Sequence, residues 1–589
     1  MDYTLFGENA KEDYQIRKRK KKRPSEPKFK DYNQNQLMLL PPSTEDMIPE
    51  KHIVRTVNRV IDNMKIDPLV KTYKGGGRKA YDPLMLLKVL VYAYLMRIYS
   101  SREIAKALRE NVNFMWLSGM QRPDFRTINN FRSGRLKKVM EGLFSSMVMF
   151  LSENKYIKIE DYFVDGTKIE ANANKYSYVW ANNTKRYKKN VQKKIKELIE
   201  HINKVNEEEN KRYGDRDLEE LGEDALEITS EKIEKQVERL NKIINPASVD
   251  TESKKDDEEK EQKEKEEKKS KNKSKRDKRD KKDKEKKEEN KELKEKKRGN
   301  KNKRRELQKA LNQISKKYLP KLKKYEQQER ILGQRSSYSK TDIDSTFFRN
   351  KEEQYRPGYN VIIGTENQII LNYSLHQKAS ETDKFIEHML KLKQITNQNM
   401  PKRVIGDGAY GSEENYDFLE KENIESYLKY TGFYQEEIKG VKRNDFDKTN
   451  FRYDEGENII ICPQGRRMRF DRIEEKLTTS GYKQEKLIYR GDCHGCQYLS
   501  ICSKTSQGRT IQINKKWDKY KQKAKENLKT PVGERLRKQR NVDVESVFGD
   551  IKQNQRFKRF NLRGLEKVNA EFGLVAMAHN IKKIANMTN

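Results

Sequence analysis

Apolar positions along this chain change their period several times, and the changes divide it. From about residue 41 they recur at helical spacing, which predicts helices over 53–64, 83–98 and 101–109. The middle one, PLMLLKVLVYAYLMRI, is apolar nearly all round and so belongs in a core. A further short helix is predicted from Pro123, with Asp124 in its first turn. Residues 101–136 thus read either as two short helices around a tight connection, like a helix-turn-helix that presents Arg126, Asn129, Asn130 and Arg132, or as a compact helical bundle with no such role. Strand-like runs follow. Tyr162-Phe163-Val164 leads into Asp165, and Val404-Ile405-Gly406 leads into Asp407. Residues 359–364 and 368–375 flank the turn residues Thr365, Glu366 and Asn367 as a hairpin, and 426–429 forms a last strand. Helices are predicted at 382–393 and 413–422. Near the C-terminus Glu545, Gly549, Lys552 and Arg556 share one face of a helix, with Val544, Val547, Phe548 and Ile551 on the other.

Two stretches interrupt this order. Ile195, Leu198, Ile199, Ile202 and Val205 make a heptad-like stripe, which predicts a helical hairpin or coiled coil. Between 251 and 306 the only apolar residue is Leu293, so nothing there offsets chain entropy and a disordered stretch or lone solvated helix is expected. Together these define an insertion over 186–335. A second insertion, 431–535, holds all four cysteines. Without the insertions, the remaining strand, hairpin, helix, strand, helix and strand have the order of an α/β core of the ribonuclease H type. The expectation is a multidomain α/β protein: a basic arm (1–40), a helical, helix-turn-helix-like domain (41–150), and a split core (156–185, 336–430 and 536–586).

Composition changes this picture in two ways. Only 33% of the 589 residues are hydrophobic while 38% are charged, and the balance is +37. The excess favours a polyanionic partner, and the seven consecutive basic residues at 17–23 would strengthen sequence-independent contact with phosphate. With no long apolar run and no signal-peptide core at the N-terminus, a soluble cytoplasmic protein without membrane contact is expected. Cys462, Cys493, Cys496 and Cys502 have thirty, two and five residues between them. That spacing is compatible with four thiolates around a structural Zn²⁺ in a zinc-ribbon-like insertion, with His494 as a substitute ligand, or with reduced cysteines that bind nothing. An acidic residue at a strand end beside glycine is a normal place for a metal ligand, so Asp165, Asp407 and Glu545 suggest one site.

Four segments, in order, carry a resemblance: RPDFRTINNFR at 122–132, VDGTKIEANANKYSYVW around Asp165, GDGAYGSEENYDFLEKENI around Asp407, and VESVFGDIKQN around Glu545. On these the chain resembles the DDE transposases of bacterial insertion sequences, over most of its length. The resemblance implies DNA transposition by a ribonuclease H-like core using Mg²⁺ or Mn²⁺, with Asp165, Asp407 and Glu545 as catalytic metal ligands and Asp165 shared between two ions. It further implies double-stranded element ends and target DNA as partners, a homodimer on paired ends, and a bacterial, nucleoid-associated location. In the IS4-like group the glutamate helix carries tyrosine, arginine, glutamate and lysine at fixed spacing. Here Lys552 keeps the lysine offset, Lys538 and Asn541 occupy the tyrosine and arginine positions, and Arg540, one residue earlier, is the candidate to replace the arginine. Lys552, Arg540, Arg556, Arg126, Asn129 and Arg132 are the candidate DNA contacts. Two rivals are an inactive transposase-derived DNA-binding protein and a host nuclease that only hydrolyses.

Overall fold

The computed structural model describes residues 29–33, 43–76, 79–213, 229–244, 302, 305–350, 353–378, 381–436, 445–505 and 507–588. The basic run at 17–23 and nearly all of the charged stretch at 251–306 lie outside them. Two compact units are present, one formed by Ser177–Tyr338 and the other by the remainder of the chain.

The larger unit is built on a six-stranded sheet of β1 (Asp161–Glu170), β4 (Thr346–Arg349), β5 (Tyr355–Glu366), β6 (Ile369–His376), β7 (Arg403–Gly411) and β8 (Glu425–Tyr430), with β2 (Tyr178–Trp180) and β3 (Ser337–Ser339) paired separately. Of these, the β2–β3 pair belongs to the smaller unit, which ends at Tyr338. The order of the six-stranded sheet is β4-β5-β1-β7-β8. β6 joins β5 beside β4, and β1 is antiparallel to β5 but parallel to β7, itself parallel to β8. β5 and β6 are buried almost throughout, as strands covered on both faces must be. Asn372 and Ser374 of β6 bond His388 of the Phe385–Ile395 helix, while the intervening Tyr373 packs its ring 5.4 Å from Phe572 of the Leu565–Thr588 helix.

The expected three-residue turn is in fact shorter. Thr365 and Glu366 extend β5, and Asn367 and Gln368 make the reversal with φ of 54° and 64°. Glu366 instead points inward, where its carboxylate accepts the backbone N–H groups of Lys158, Ile159, Glu160 and Asp161 at 2.7 to 3.2 Å. This buried side chain fixes the start of β1, and hence the height of Asp165.

The N-terminal helices bury their apolar residues in the same core as the sheet. Asp82 caps the Pro83–Leu95 helix through the Met85 N–H, and eleven of its thirteen residues are buried. The Leu565–Thr588 helix lies against it, and Tyr94 Oη donates to the buried Glu571 at 3.0 Å. The region read as a two-helix motif contains three short helices, Ser101–Glu110, Val112–Leu117 and Phe125–Asn130, the last capped by Asp124 and continued by a π turn at Phe131–Arg135.

A second sheet, antiparallel and five-stranded, comprises β9 (Arg452–Asp454), β10 (Ile459–Ile461), β11 (Arg467–Leu477), β12 (Lys483–Gly491) and β13 (Thr510–Ile513). The Lys515–Lys529 helix that follows belongs with the main core, burying Tyr520, Ala524 and Leu528 there. Considered by itself, the Ser177–Tyr338 unit joins the Ala181–Tyr213, Ser230–Ile244 and Leu319–Leu332 helices around Ile195, Ile202, Ile233, Leu311 and Leu322. Among the described residues no helix is long and apolar enough to cross a membrane.

Candidate active site

β1 and β7 pair only as far as Phe163 and Ile405 and then part. Asp165 and Asp407 each stand two residues beyond that point, at the mouth of the split. Asp165 Oδ1 accepts the Gly166 N–H and Asp407 Oδ1 the Ala409 N–H, both at 2.9 Å. Glu545 comes from the opposite direction, at the end of a π turn (Asn541–Glu545) that continues the Pro531–Arg540 helix. One guanidinium joins all three. Arg540 lies 3.1 Å from Asp165 Oδ1, 2.8 Å from Glu545 Oε1 and 4.0 Å from Asp407 Oδ2. The Arg540 side chain is 7% exposed, against 15%, 39% and 50% for Asp165, Asp407 and Glu545. The cation is therefore innermost and the carboxylates open outward.

The π turn explains the altered arginine spacing. In a regular helix side chains four apart share a face, so a residue five before Glu545 would turn away. An i→i+5 turn accommodates one additional residue, and Arg540 reaches Glu545. The wider turn also lets the buried Asp543 point inward, where Oδ1 accepts the Gln368 N–H at 2.7 Å and locks the turn to the β5–β6 reversal. Burial raises the Asp165 pKa from 3.8 to about 6; Arg540 opposes that rise and the Asp407 carboxylate adds to it.

Three family models match the chain: a Transposase domain (DUF772) over residues 42–134, and two models described as Transposase DDE domain over 335–459 and 461–585. The chain belongs to the DDE transposases. It is an enzyme of metal-dependent DNA cleavage and strand transfer. Asp407 and Glu545 fall inside the matched stretches, while Asp165 lies between them, in 135–334. No curated protein and no solved structure matches the transposase.

Its remaining candidate residues divide sharply. Lys552 Nζ donates to Thr167 Oγ1 at 2.5 Å and to the Lys168 carbonyl at 2.9 Å, tying the glutamate segment to β1. Arg126 and Asn129 are exposed. Arg556 is exposed too, but a second π turn at Asp550–Asn554 ends the helix and Arg556, at φ 56°, lies beyond it rather than on Glu545's face. Arg132 is not presented at all. The π turn at Phe131–Arg135 rolls it inward, and its guanidinium is spent on Tyr94 Oη, the Tyr99 carbonyl and Ser101 Oγ at 2.6 to 3.2 Å. Sequence reasoning missed Glu381, Tyr410 and Lys429. Burial, Arg540 and Arg537 hold the Lys429 ammonium below its ordinary pKa, against Asp407 and Glu545, which places it at the edge of the acidic cluster. Tyr410 carries a signal after the fact, being three residues past Asp407; Glu381, in the polar segment ETDK, carries none.

Three carboxylates facing one cation are the oxygen donor set that a hard divalent ion takes, so the residues present fit such an ion. Among the described residues no three His, Cys, Asp or Glu side chains close to metal-binding distance; these three surround the guanidinium instead. The cysteines gather at one end of the five-stranded sheet. Cys462 accepts the Gly465 N–H at 2.8 Å, Cys493 the Cys496 N–H at 3.1 Å through their backbone carbonyls, and Cys493 Sγ the Arg509 N–H at 3.4 Å. Burial raises the Cys502 thiol pKa; Arg509 opposes this, and Cys493, Cys462 and Cys496 reinforce it.

Proposed function

We propose that this transposase binds the terminal inverted repeats of a bacterial insertion sequence, cuts there, and joins the freed ends to target DNA. The observation that carries the reading is the convergence of Asp165, Asp407 and Glu545 on Arg540. Asp165, Asp407 and Glu545 would hold Mg²⁺ or Mn²⁺, with Asp165 central. Bound there, divalent ions supply Lewis acidity at the phosphodiester and make the attacking oxygen more acidic, two ions serving the entering and leaving oxygens. The protein's part is placement and charge. Arg540 is the counter-ion that keeps three carboxylates together in the absence of such ions, and its guanidinium is long enough to pass to a phosphate oxygen once they are neutralised. Lys552 fixes the backbone beyond Asp165 and brings a further positive charge to the site.

In the first step a water oxygen displaces the 3′ oxygen at the element end, leaving a 3′-OH on the element and a 5′-phosphate on the flank. In the second, that 3′-OH displaces a bridging oxygen in the target strand. Arg126, Asn129 and Arg556 are proposed phosphate or base contacts, the cysteine set a structural Zn²⁺ site, and the working form a homodimer on two ends in the bacterial cytoplasm. Incubating the protein with Mg²⁺, an end duplex and a second duplex tests this. Cleavage at the end followed by a joined product is expected; cleavage without joining would favour the nuclease, and binding without cleavage the inactive DNA-binding protein.

A further inference from the structure

The split between β1 and β7 poses a mechanical problem. Register pairing ends at Phe163 and Ile405, and β7 is also irregular against β8 between Gly406 and Gly411. Asp165 continues on a strand held by β5, whereas Asp407 lies on a stretch that neither neighbouring strand holds in register. Two metal ligands a few tenths of an ångström out of place cost affinity, so something other than the sheet ladder must set their separation.

Glu381 stands in that gap. Its carboxylate lies against the backbone of Gly166, the residue after Asp165, so closely that a Cβ built on Gly166 would overlap its carbon and both oxygens. The same carboxylate accepts a hydrogen bond from Tyr410 Oη at 2.9 Å. Tyr410 is three residues past Asp407, fully buried, and stacked at a tilt on Phe385, whose helix begins four residues after Glu381. Gly166 is therefore small to admit a carboxylate of its own chain and not, as its position beside Asp165 suggests, to admit substrate.

We infer that Glu381 is a positioning residue of the transposase: it spans the split between β1 and β7 through Gly166 and Tyr410 and so sets the separation of Asp165 and Asp407. This rests on the proposed assignment of those two residues as metal ligands. It acts through them and touches neither the reacting atoms nor the ion.

The test is Mn²⁺ binding to the full-length, DNA-free protein, followed by the electron-spin signal of free Mn²⁺, with Asp407→Asn as reference. Glu381→Ala is expected to weaken Mn²⁺ binding about 10-fold, the loss usual for a residue that orients a ligand. Glu381→Gln, whose amide oxygen still accepts from Tyr410, should keep binding within about 3-fold of wild type. Gly166→Ala should match Glu381→Ala, and the double variant should be no worse than either single one, because both break one contact. Should Glu381→Ala not fold, Tyr410→Phe removes the same bridge from the other side and should weaken binding in the same direction. Unchanged binding in Glu381→Ala or Tyr410→Phe, while Asp407→Asn loses it, overturns the inference and leaves the ligand assignment standing. Equal losses in Glu381→Gln and Glu381→Ala overturn it in favour of Glu381 as a direct ligand. Retained binding in Asp407→Asn overturns the assignment on which the inference rests.

Discussion

The two sheets of the larger unit are held in opposite ways. In the six-stranded sheet every positioning group has a protein partner: Glu366 anchors the entry to β1, Glu381 bridges its exit, Asp543 fastens the glutamate turn, and β5 and β6 are buried almost throughout. The five-stranded sheet buries Ile459, Ile460, Met468, Ile488, Tyr489 and Ile511 and little else, and β11 is exposed at nearly every position, including Ile473 and Leu477. A sheet with so small a core needs another source of stability, and four cysteines at one end provide the means. The catalytic sheet is expected to hold its shape without ions; the cysteine sheet is expected to depend on one.

The sharpest break in that comparison is functional. Asp165→Ala, Asp407→Ala and Glu545→Ala should each lower end cleavage by at least about 10³-fold, as removal of a metal ligand removes the chemistry, while a gel-shift assay finds end-DNA binding within a few-fold of wild type. A variant that cleaves normally does not carry a ligand.

Next in size is the zinc. The protein purified without chelator should contain about one zinc per chain, and structural sites of this type contribute on the order of 10 kcal/mol to the fold around them. Removing it, or replacing Cys493 and Cys496 by Ser, should open β9–β13 to hydrogen exchange while β1, β5 and β6 stay protected. Simultaneous loss of protection in both sheets would show that they are not independent.

A smaller effect concerns the unliganded carboxylates. The folded Asp165 pKa, about 6, lies above the free value of 3.8, so the folded protein carries a penalty that is absent below pH 4, grows between pH 4 and 6, and is constant above. In chelator, Asp165→Asn should therefore stabilise the protein above pH 6, by up to about 3 kcal/mol for a shift of roughly two pH units, and leave it unchanged below pH 4. Thermal melts across that range measure it, and a gain that persists at low pH would contradict the sign. The smallest effect is expected from deleting residues 251–304, where a single apolar residue offers nothing to a core: the cleavage position should not move, and only binding at raised salt should weaken.

What the sequence makes legible follows from what has a period. Val544, Val547, Phe548 and Ile551 are all buried as their helical spacing predicts, and the apolar runs before Asp165 and Asp407 are the strands β1 and β7. A π turn does not change composition, so the outward placing of Arg132 and the helical placing of Arg556 both fail at one, while the Arg540 spacing becomes intelligible because of another. Glu381 could not be read because its partners, Gly166 and Tyr410, are distant in sequence and only the fold brings them to it.

The central claim is that three segments far apart in the chain hold one metal site. Replacing Mg²⁺ with Fe²⁺ and adding ascorbate and peroxide turns a bound ion into a source of hydroxyl radicals that cut the polypeptide beside it. The fragments, mapped by mass spectrometry, should end within a few residues of Asp165, Asp407 and Glu545, and excess Mg²⁺ should suppress all three cuts together. Cuts at only one of the three, or cuts elsewhere that Mg²⁺ suppresses, would contradict it.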